Sequence, residues 1–191
     1  MASFDRDPRE SPKRVLVVNY DPNWPRMYQT LGEQIWPIVQ HCSLYMEHVG
    51  STSVEGLAAK PIIDIDIVVS SPREVKLAIG SLQSAGYIHL GDLGIKGREA
   101  FRNPQNDPSY HLYVCEKDGL GLKNPIELRN YLRLHQDEAR AYGELKKRLA
   151  ERFPYDIDSY VRGKTEFVLE ILRKTGSFTS RELAEIRSQN E

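Results

Sequence analysis

The clearest pattern of hydrophobic and polar positions lies between residues 62 and 69, where isoleucines alternate with Asp64 and Asp66. Side chains along a strand point to opposite faces in turn, so this period of two predicts a strand. The isoleucines then face a core, and the two aspartates emerge together on the other face. Neighbouring carboxylates repel each other and an unpaired buried charge is costly, so we expect a cation between them. Magnesium (or manganese) held together with a substrate phosphate fits this requirement best.

Apolar periodicity and capping residues predict the other elements of the chain. Strands are predicted at residues 14–19, 44–49, 87–90, 99–103 and 110–115. Helices are predicted from Trp24 to Ile38, after a Ser71 cap to Ala85, from Asn124 to Phe153 with a break near Gln136, from Asp158 to Lys174, and after a Thr179 cap. Strands in the centre and helices towards the end favour an α+β fold, with a mixed sheet flanked by helices and a helical C-terminal part.

Length and composition set the organisation that we expect. The chain has 191 residues, of which 40% are hydrophobic and 28% charged, as in an ordinary soluble domain. We expect a mobile arm at residues 1–13, a single domain at 14–175, and a C-terminal tail at 176–191 that includes a short helix. Cys42 and Cys115 are interpreted as buried thiols, which favours a reducing cytoplasm.

Charge and hydropathy exclude several classes of partner. A formal net charge of -1 gives no general attraction to nucleic acid or to anionic lipid. No apolar stretch has the length of a membrane span, and the first residues lack the apolar centre of a signal peptide. Nucleic acid and membranes are therefore not expected as partners. The oligomeric state is left open.

Several motifs resemble those of the GrpB family, a branch of the DNA polymerase β-type nucleotidyltransferase superfamily. The matching segments are Val18–Pro25, His48–Leu57, Lys60–Asp66, Tyr110–Val114 and Tyr160–Lys164. The resemblance covers roughly residues 15 to 175. The superfamily signature is a Gly-Ser turn at the start of a helix, followed by a strand that carries Asp-x-Asp. The resemblance therefore implies a nucleotidyltransferase-like fold with a phosphate-and-metal pocket.

The resemblance assigns roles to particular residues. Asp64 and Asp66 would hold the metal and act in catalysis. Backbone N–H groups and hydroxyls of the turn would bind the nucleotide phosphates, as a helix N-terminus binds any anion, at Gly50, Ser51, Thr52 and Ser53. Without the aspartates, this turn would indicate only a capped helix start. The alternative for the aspartates is a solvated sheet face, or pairing with arginines.

One part of the superfamily pattern is missing from this chain. A third carboxylate is expected on a neighbouring strand, and residues 110–115 contain no Asp or Glu. His111 is the candidate catalytic base, with Glu116 as a second candidate, although a core histidine bonded to backbone is an alternative for His111. Phosphate-binding candidates are Lys60, Arg98, Arg102 and Lys164.

The remaining charged residues are interpreted as solvent-exposed. Glu47 and Glu55 are taken as surface acids. The basic residues around the long helix are offset by acids and are interpreted as a solvated face. They are Arg129, Arg133, Arg140, Lys146, Lys147 and Arg148.

Three functions stay open at this level. The first is a magnesium-dependent nucleotidyltransferase that moves an NMP group from ATP or another NTP to an acceptor. The second is a catalytically weak or inactive domain that binds a nucleotide or phosphoryl ligand and serves a regulatory or accessory role, which the missing acid favours. The third is a transferase for RNA 3′ ends, which the near-neutral charge disfavours.

Overall fold

The computed structural model describes residues 14–105 and 109–189, so the predicted arm at 1–13 lies outside the described residues. The strands are β1 (Tyr45–Val49), β2 (Ile63–Val69), β3 (Ile88–Gly91), β4 (Arg98–Arg102) and β5 (Tyr110–Glu116). The helices are α1 (Trp24–Val39), α2 (Pro72–Ser84), α3 (Leu120–Leu134), α4 (Gln136–Arg152), α5 (Ile157–Thr175) and α6 (Ser180–Ser188), with a short 3₁₀ helix at Ser51–Ser53. The predicted α+β architecture is confirmed.

The five strands form one mixed sheet in the order β1-β2-β5-β4-β3. The central strands β2 and β5 are parallel, and the remaining neighbours are antiparallel. Central strands buried on both faces are typically rich in β-branched residues, as β2 is here. The register sets Asp64 opposite His111 and Asp66 opposite Tyr113.

The two faces of the sheet are covered by different helices. On one face, Ile63, Ile65 and Ile67 form the main core with residues of α1 and α2, including Trp24 and Leu82. This confirms that the isoleucines point into a core. The opposite face carries the two aspartates; α3 packs on it, and α4 and α5 lie across a cavity from its Asp64 end.

Packing among the C-terminal helices closes the second layer of the fold. Leu132 of α3, Tyr142 of α4 and Ile171 of α5 share one buried cluster. The final helix α6 also packs, because its fully buried Ile186 lies in a cluster with Leu169 of α5. The sheet face that carries Asp64 and Asp66 is therefore covered by helices that are distant from β2 in sequence.

One predicted strand and the predicted start of one helix are wrong. Residues 14–19 do not form a strand, since Val18 makes only an isolated bridge with Ala59. The helix predicted from Asn124 begins at Leu120, four residues earlier, because Leu122 is buried against the sheet beside Tyr113. The predicted break near Gln136 is confirmed.

Other local predictions agree with the structure. The Ser71 hydroxyl caps α2 by accepting a hydrogen bond from the Arg73 backbone N–H, and Thr179 and Glu182 form a capping box at α6. Cys42 and Cys115 are both buried free thiols. Among the described helices, none is long and apolar enough to cross a membrane.

Candidate functional site

The two aspartates of β2 lie on the same face of the sheet, as their spacing predicts. Asp66 is only 1% exposed, whereas Asp64 is partly accessible. Across the β1–β2 pair, Glu47 lies directly opposite Asp66. Residues directly opposite in an antiparallel pair share a face, so three acids point into the layer beneath the C-terminal helices.

Asp66 is held in an unfavourable environment for a charge. Its Oδ2 atom has no hydrogen-bond partner among the described residues. Burial raises the pKa of Asp66 to about 8, with the neighbouring acids adding to the rise and Arg98 opposing it. The carboxyl is therefore largely protonated at neutral pH, and a cation placed beside it would reverse this shift.

Asp64 has the opposite titration behaviour. Burial by itself would raise its pKa, but the hydrogen bond to His111 and the positive charge of Lys60 hold the pKa below its ordinary value. The Nδ1 atom of His111 lies 3.0 Å from Asp64 Oδ1. One acid on this face is thus ionised and oriented while its neighbour is kept protonated.

The turn after β1 approaches Asp64 so closely that it requires glycine. Gly50 has a φ of 70°, and a Cβ atom at this position would lie 2.2 Å from Asp64 Oδ2. Thr52 fixes the turn, because its hydroxyl donates to the Ile62 carbonyl at 3.2 Å and bonds to His48 Nε2 at 3.0 Å. Burial lowers the pKa of His48 to about 4, so this imidazole is neutral.

A cavity of about 190 Å³ opens between the turn, the start of β2 and the helices α4 and α5. Its wall includes three lysines, one carboxylate and two hydroxyl side chains of the turn. The lining residues are Ser51, Thr52, Ala59, Lys60, Ile62, Asp64, His111, Lys146, Tyr160 and Lys164. The structure therefore brings together Asp64, His111, Lys60 and Lys164 at the turn, although they come from separate segments.

Some predicted site residues lie outside this cavity. Arg98 stacks on the Tyr113 ring, with its guanidinium carbon 4.2 Å from the ring centroid, and acts on Asp66. Arg102 lies on β4 opposite Ile88. The Ser53 hydroxyl donates to the Gly50 carbonyl within the turn. None of these side chains lines the cavity, and neither does the buried Asp66.

Glu116 is the last residue of β5, where it pairs with Val69 at the far end of β2. Five residues separate it from His111, which corresponds to about 17 Å along a strand. Its selection as a second candidate base is therefore wrong, because the parallel register carries it away from Asp64.

Lys146, Arg129 and Glu47 were predicted to be solvated surface groups, and the structure shows otherwise. Lys146 is 2% exposed and Arg129 is 8% exposed. Arg129 donates to a Glu47 carboxylate oxygen, and at 2.9 Å to the His48 carbonyl. The helical spacing contained a signal, since Lys146 lies four residues after the buried Tyr142, on the apolar stripe of α4.

The acids on this face fit a metal ion that is shared with a ligand. Within residues 14–105 and 109–189, no group of three or more His, Cys, Asp or Glu side chains is arranged to hold an ion alone. Magnesium is commonly bound by one or two carboxylates together with substrate phosphates. The buried, unpaired Oδ2 of Asp66 and the oxygen-only pair that it forms with Asp64 suit that mode of binding.

Comparison with known proteins gives the family of the chain. Residues 14–174 match the family described as GrpB protein. The glutamate-rich protein GrpB of Alkalihalophilus pseudofirmus is 35% identical, over 84% of this chain and 95% of that protein. UPF0157 protein YqkA of Bacillus subtilis is 33% identical over 82% of this chain, which spans only 46% of YqkA.

A solved structure agrees with the sequence match. The conserved protein GrpB from Enterococcus faecalis superposes with a TM-score of 0.73 at 31% identity, and the match covers 92% of this chain and all of that one. Both the sequence match and the superposition extend over the sheet and the helices that enclose the cavity. The chain therefore belongs to the GrpB family.

Proposed function

We propose that this protein is a magnesium-dependent nucleotidyltransferase that moves an NMP group from ATP or another NTP to an acceptor. One observation supports the proposal most: Asp64, which shares a sheet face with the buried Asp66, lines a cavity rich in lysines beside a glycine turn. A carboxylate and several lysines in one cavity match the two halves of a metal-bound polyphosphate. Manganese would serve in place of magnesium.

The residues of the cavity divide into two groups under this proposal. The Ser51 and Thr52 turn and Lys60 and Lys164 bind phosphate oxygens, while Asp64 and Asp66 hold the metal. When bound, the metal supplies positive charge that stabilises the phosphoryl group in the transition state. Because such transfer depends mainly on positioning and charge, few other groups are needed.

His111 is the group that we assign to proton transfer. Asp64 orients the imidazole through Nδ1, so His111 is placed as a carboxylate-supported base. An oxygen of the acceptor forms a bond to the α-phosphorus, and the bond from that phosphorus to the bridging oxygen breaks. Pyrophosphate leaves with the electron pair, and the proton of an acceptor hydroxyl passes to His111. We place this reaction in the cytoplasm, in keeping with the two free thiols.

The experiment compares three proteins by calorimetry with magnesium and ATP. The native protein and a Glu55→Gln control, altered at an exposed acid, are expected to bind alike. The Asp64→Asn/Asp66→Asn variant is expected to lose affinity by about tenfold or more. Equal binding by all three proteins would eliminate the metal role of the pair.

A second assay separates an enzyme from a binding protein. Pyrophosphate release is measured across panels of small-molecule hydroxyl and phosphate acceptors, with the double variant as the blank. Release that is lost both in the double variant and in a His111→Asn variant supports transfer. Release that survives the double substitution would place any activity elsewhere.

The alternative function is a binding domain of low or no catalytic activity, with a regulatory or accessory role. A specific observation favours it: Glu47, the remaining acid on this sheet face, is paired with Arg129. If nucleotide binds through the aspartates and no acceptor gives pyrophosphate release, this alternative replaces transfer.

A further inference from the structure

Lys146 is the least explained ionisable group in the fold. Its side chain is nearly inaccessible, and Nζ finds no hydrogen-bond partner within the described part of the chain. Native proteins rarely leave a buried polar atom unpaired, and an exception calls for a functional explanation. The Tyr142 ring lies 4.6 Å from Nζ and makes a cation–π contact with it. A leucine here would complete the apolar stripe of α4 without this cost.

Lys146 lines the same cavity as Lys164 and Lys60. These three lysines come from α4, from α5 and from the segment before β2. The helices approach closely because Gly163 faces Leu149, where an added Cβ would lie 2.4 Å from a Leu149 methyl carbon. The convergence is thus produced by tertiary packing, not by a run of basic residues.

The electrostatic balance of the cavity is incomplete without an anion. Burial lowers the pKa of Lys164 to about 8, and Lys60 adds to the effect. Burial likewise holds the pKa of Lys146 well below its ordinary value, Lys164 lowers this pKa further, and Asp64 opposes the shift. Asp64 is the carboxylate among the lining residues, and one of its oxygens is already bonded to His111.

We propose that Lys146, with Lys164, Lys60 and the Ser51–Thr52 turn, forms a metal-independent subsite for a condensed phosphate such as pyrophosphate. Several lysines that line one cavity favour a ligand with more than one negative charge, and the Ser51 hydroxyl supplies a further donor. The cavity of about 190 Å³ is smaller than the roughly 300–1,000 Å³ pockets that enclose whole small molecules. It suits the phosphate end of a ligand whose remainder extends outside.

This inference deepens the proposed function, since the subsite would hold the pyrophosphate that leaves during transfer. It makes a separate claim, however: binding there depends on lysines and needs neither aspartates nor metal. The two proposals therefore fail under different measurements.

The test is calorimetric titration of pyrophosphate into the full chain in EDTA. The native protein is expected to bind, and Lys146→Met is expected to lose about tenfold or more in affinity, as for removal of a charge-assisted hydrogen bond. Lys147→Met is the matched control, because Lys147 is the neighbouring residue and pairs with Glu144 on the surface. Asp66→Asn, which changes a buried acid outside the cavity lining, is expected to bind pyrophosphate as tightly as native protein.

A structural role for Lys146 predicts a different set of results. Replacing an unpaired buried amine with Met is expected to preserve or raise the unfolding midpoint in urea, so lost binding would not reflect lost folding. Undetectable pyrophosphate binding by native protein, or equal affinity in Lys146→Met, would overturn the subsite. One combination of results would support the subsite and reject the metal role of the aspartates. In it, pyrophosphate binds in EDTA, and magnesium–ATP binds equally to native protein and to the Asp64→Asn/Asp66→Asn variant.

Discussion

Asp66 provides the most demanding test of the site, because its burial without a partner makes a quantitative prediction about stability. In the folded protein its pKa rises from 3.8 to about 8. The folded state therefore keeps a proton that the unfolded chain releases above its ordinary pKa. Stability from this group is fully present below about pH 4 and is lost as the pH rises towards 8.

The size of the effect follows from the shift. Each pH unit between the two pKa values costs about 1.4 kcal/mol, so the cost at pH 7 reaches about 4 kcal/mol. Asparagine removes the titration but leaves a buried amide, whose imperfect hydrogen bonding costs about 1–3 kcal/mol. Asp66→Asn is therefore expected to gain about 1–3 kcal/mol of unfolding free energy at pH 7. Its gain over native protein should shrink as the pH falls towards 4.

The assay is urea denaturation of both proteins at pH 5, 6, 7 and 8 in EDTA. Asp64→Asn is the matched control and is expected to move the other way, because a lowered pKa means that the ionised form of Asp64 stabilises the fold. Its contribution is present at neutral pH and is lost as the pH falls through the lowered pKa. If Asp66→Asn is the less stable of the two variants at pH 7, or if its difference from native protein does not change with pH, the proposed state of Asp66 is wrong.

Three further predictions use the same structure. Gly50→Ala is expected to lose about 2 kcal/mol or more of unfolding free energy in urea denaturation, together with magnesium–ATP affinity. Gly56→Ala is the control and should lose only about 1 kcal/mol, because Gly56 shares the positive φ but an added Cβ would meet open space. Pyrophosphate affinity in EDTA is expected to fall as the pH rises through about 8, because Lys164 loses its charge there. Calorimetry should show a weaker pH dependence in Lys164→Met, and the same pH dependence in both proteins would contradict this role of Lys164. Arg129→Met is expected to lower the free energy of unfolding by about 2–3 kcal/mol, because it leaves Glu47 unpaired. A double-mutant cycle with Glu47→Gln should give a coupling energy of at least about 1 kcal/mol, and additive losses would argue against the ion pair.

Local sequence rules predicted the parts of the fold that depend on neighbouring residues. The period of two in β2 set Asp64 and Asp66 on one face, and capping residues located the starts of α2 and α6. These features depend on backbone geometry and on hydrogen bonds between residues a few positions apart. The boundary of α3 was missed because burial of Leu122 against the sheet extends the helix.

Long-range pairing decided the other half of the candidate site. Strand register brought His111 beside Asp64 and carried Glu116 away, and no local pattern specifies that register. The prediction of surface positions failed for Lys146 and Arg129, because charge count suggested a solvated helix face. Their positions on apolar stripes indicated burial instead.

The sequence by itself determined one motif: the paired carboxylates of β2 and the glycine turn that precedes them. Only the tertiary structure decided that α4 and α5 close over that motif and direct Lys146 and Lys164 into one cavity. The physical reason is that the spacing of residues fixes the direction of a side chain relative to its own helix or strand. Which charges become buried together depends on how separate helices and strands pack, and this packing sets the pKa values and the anion preference of the cavity.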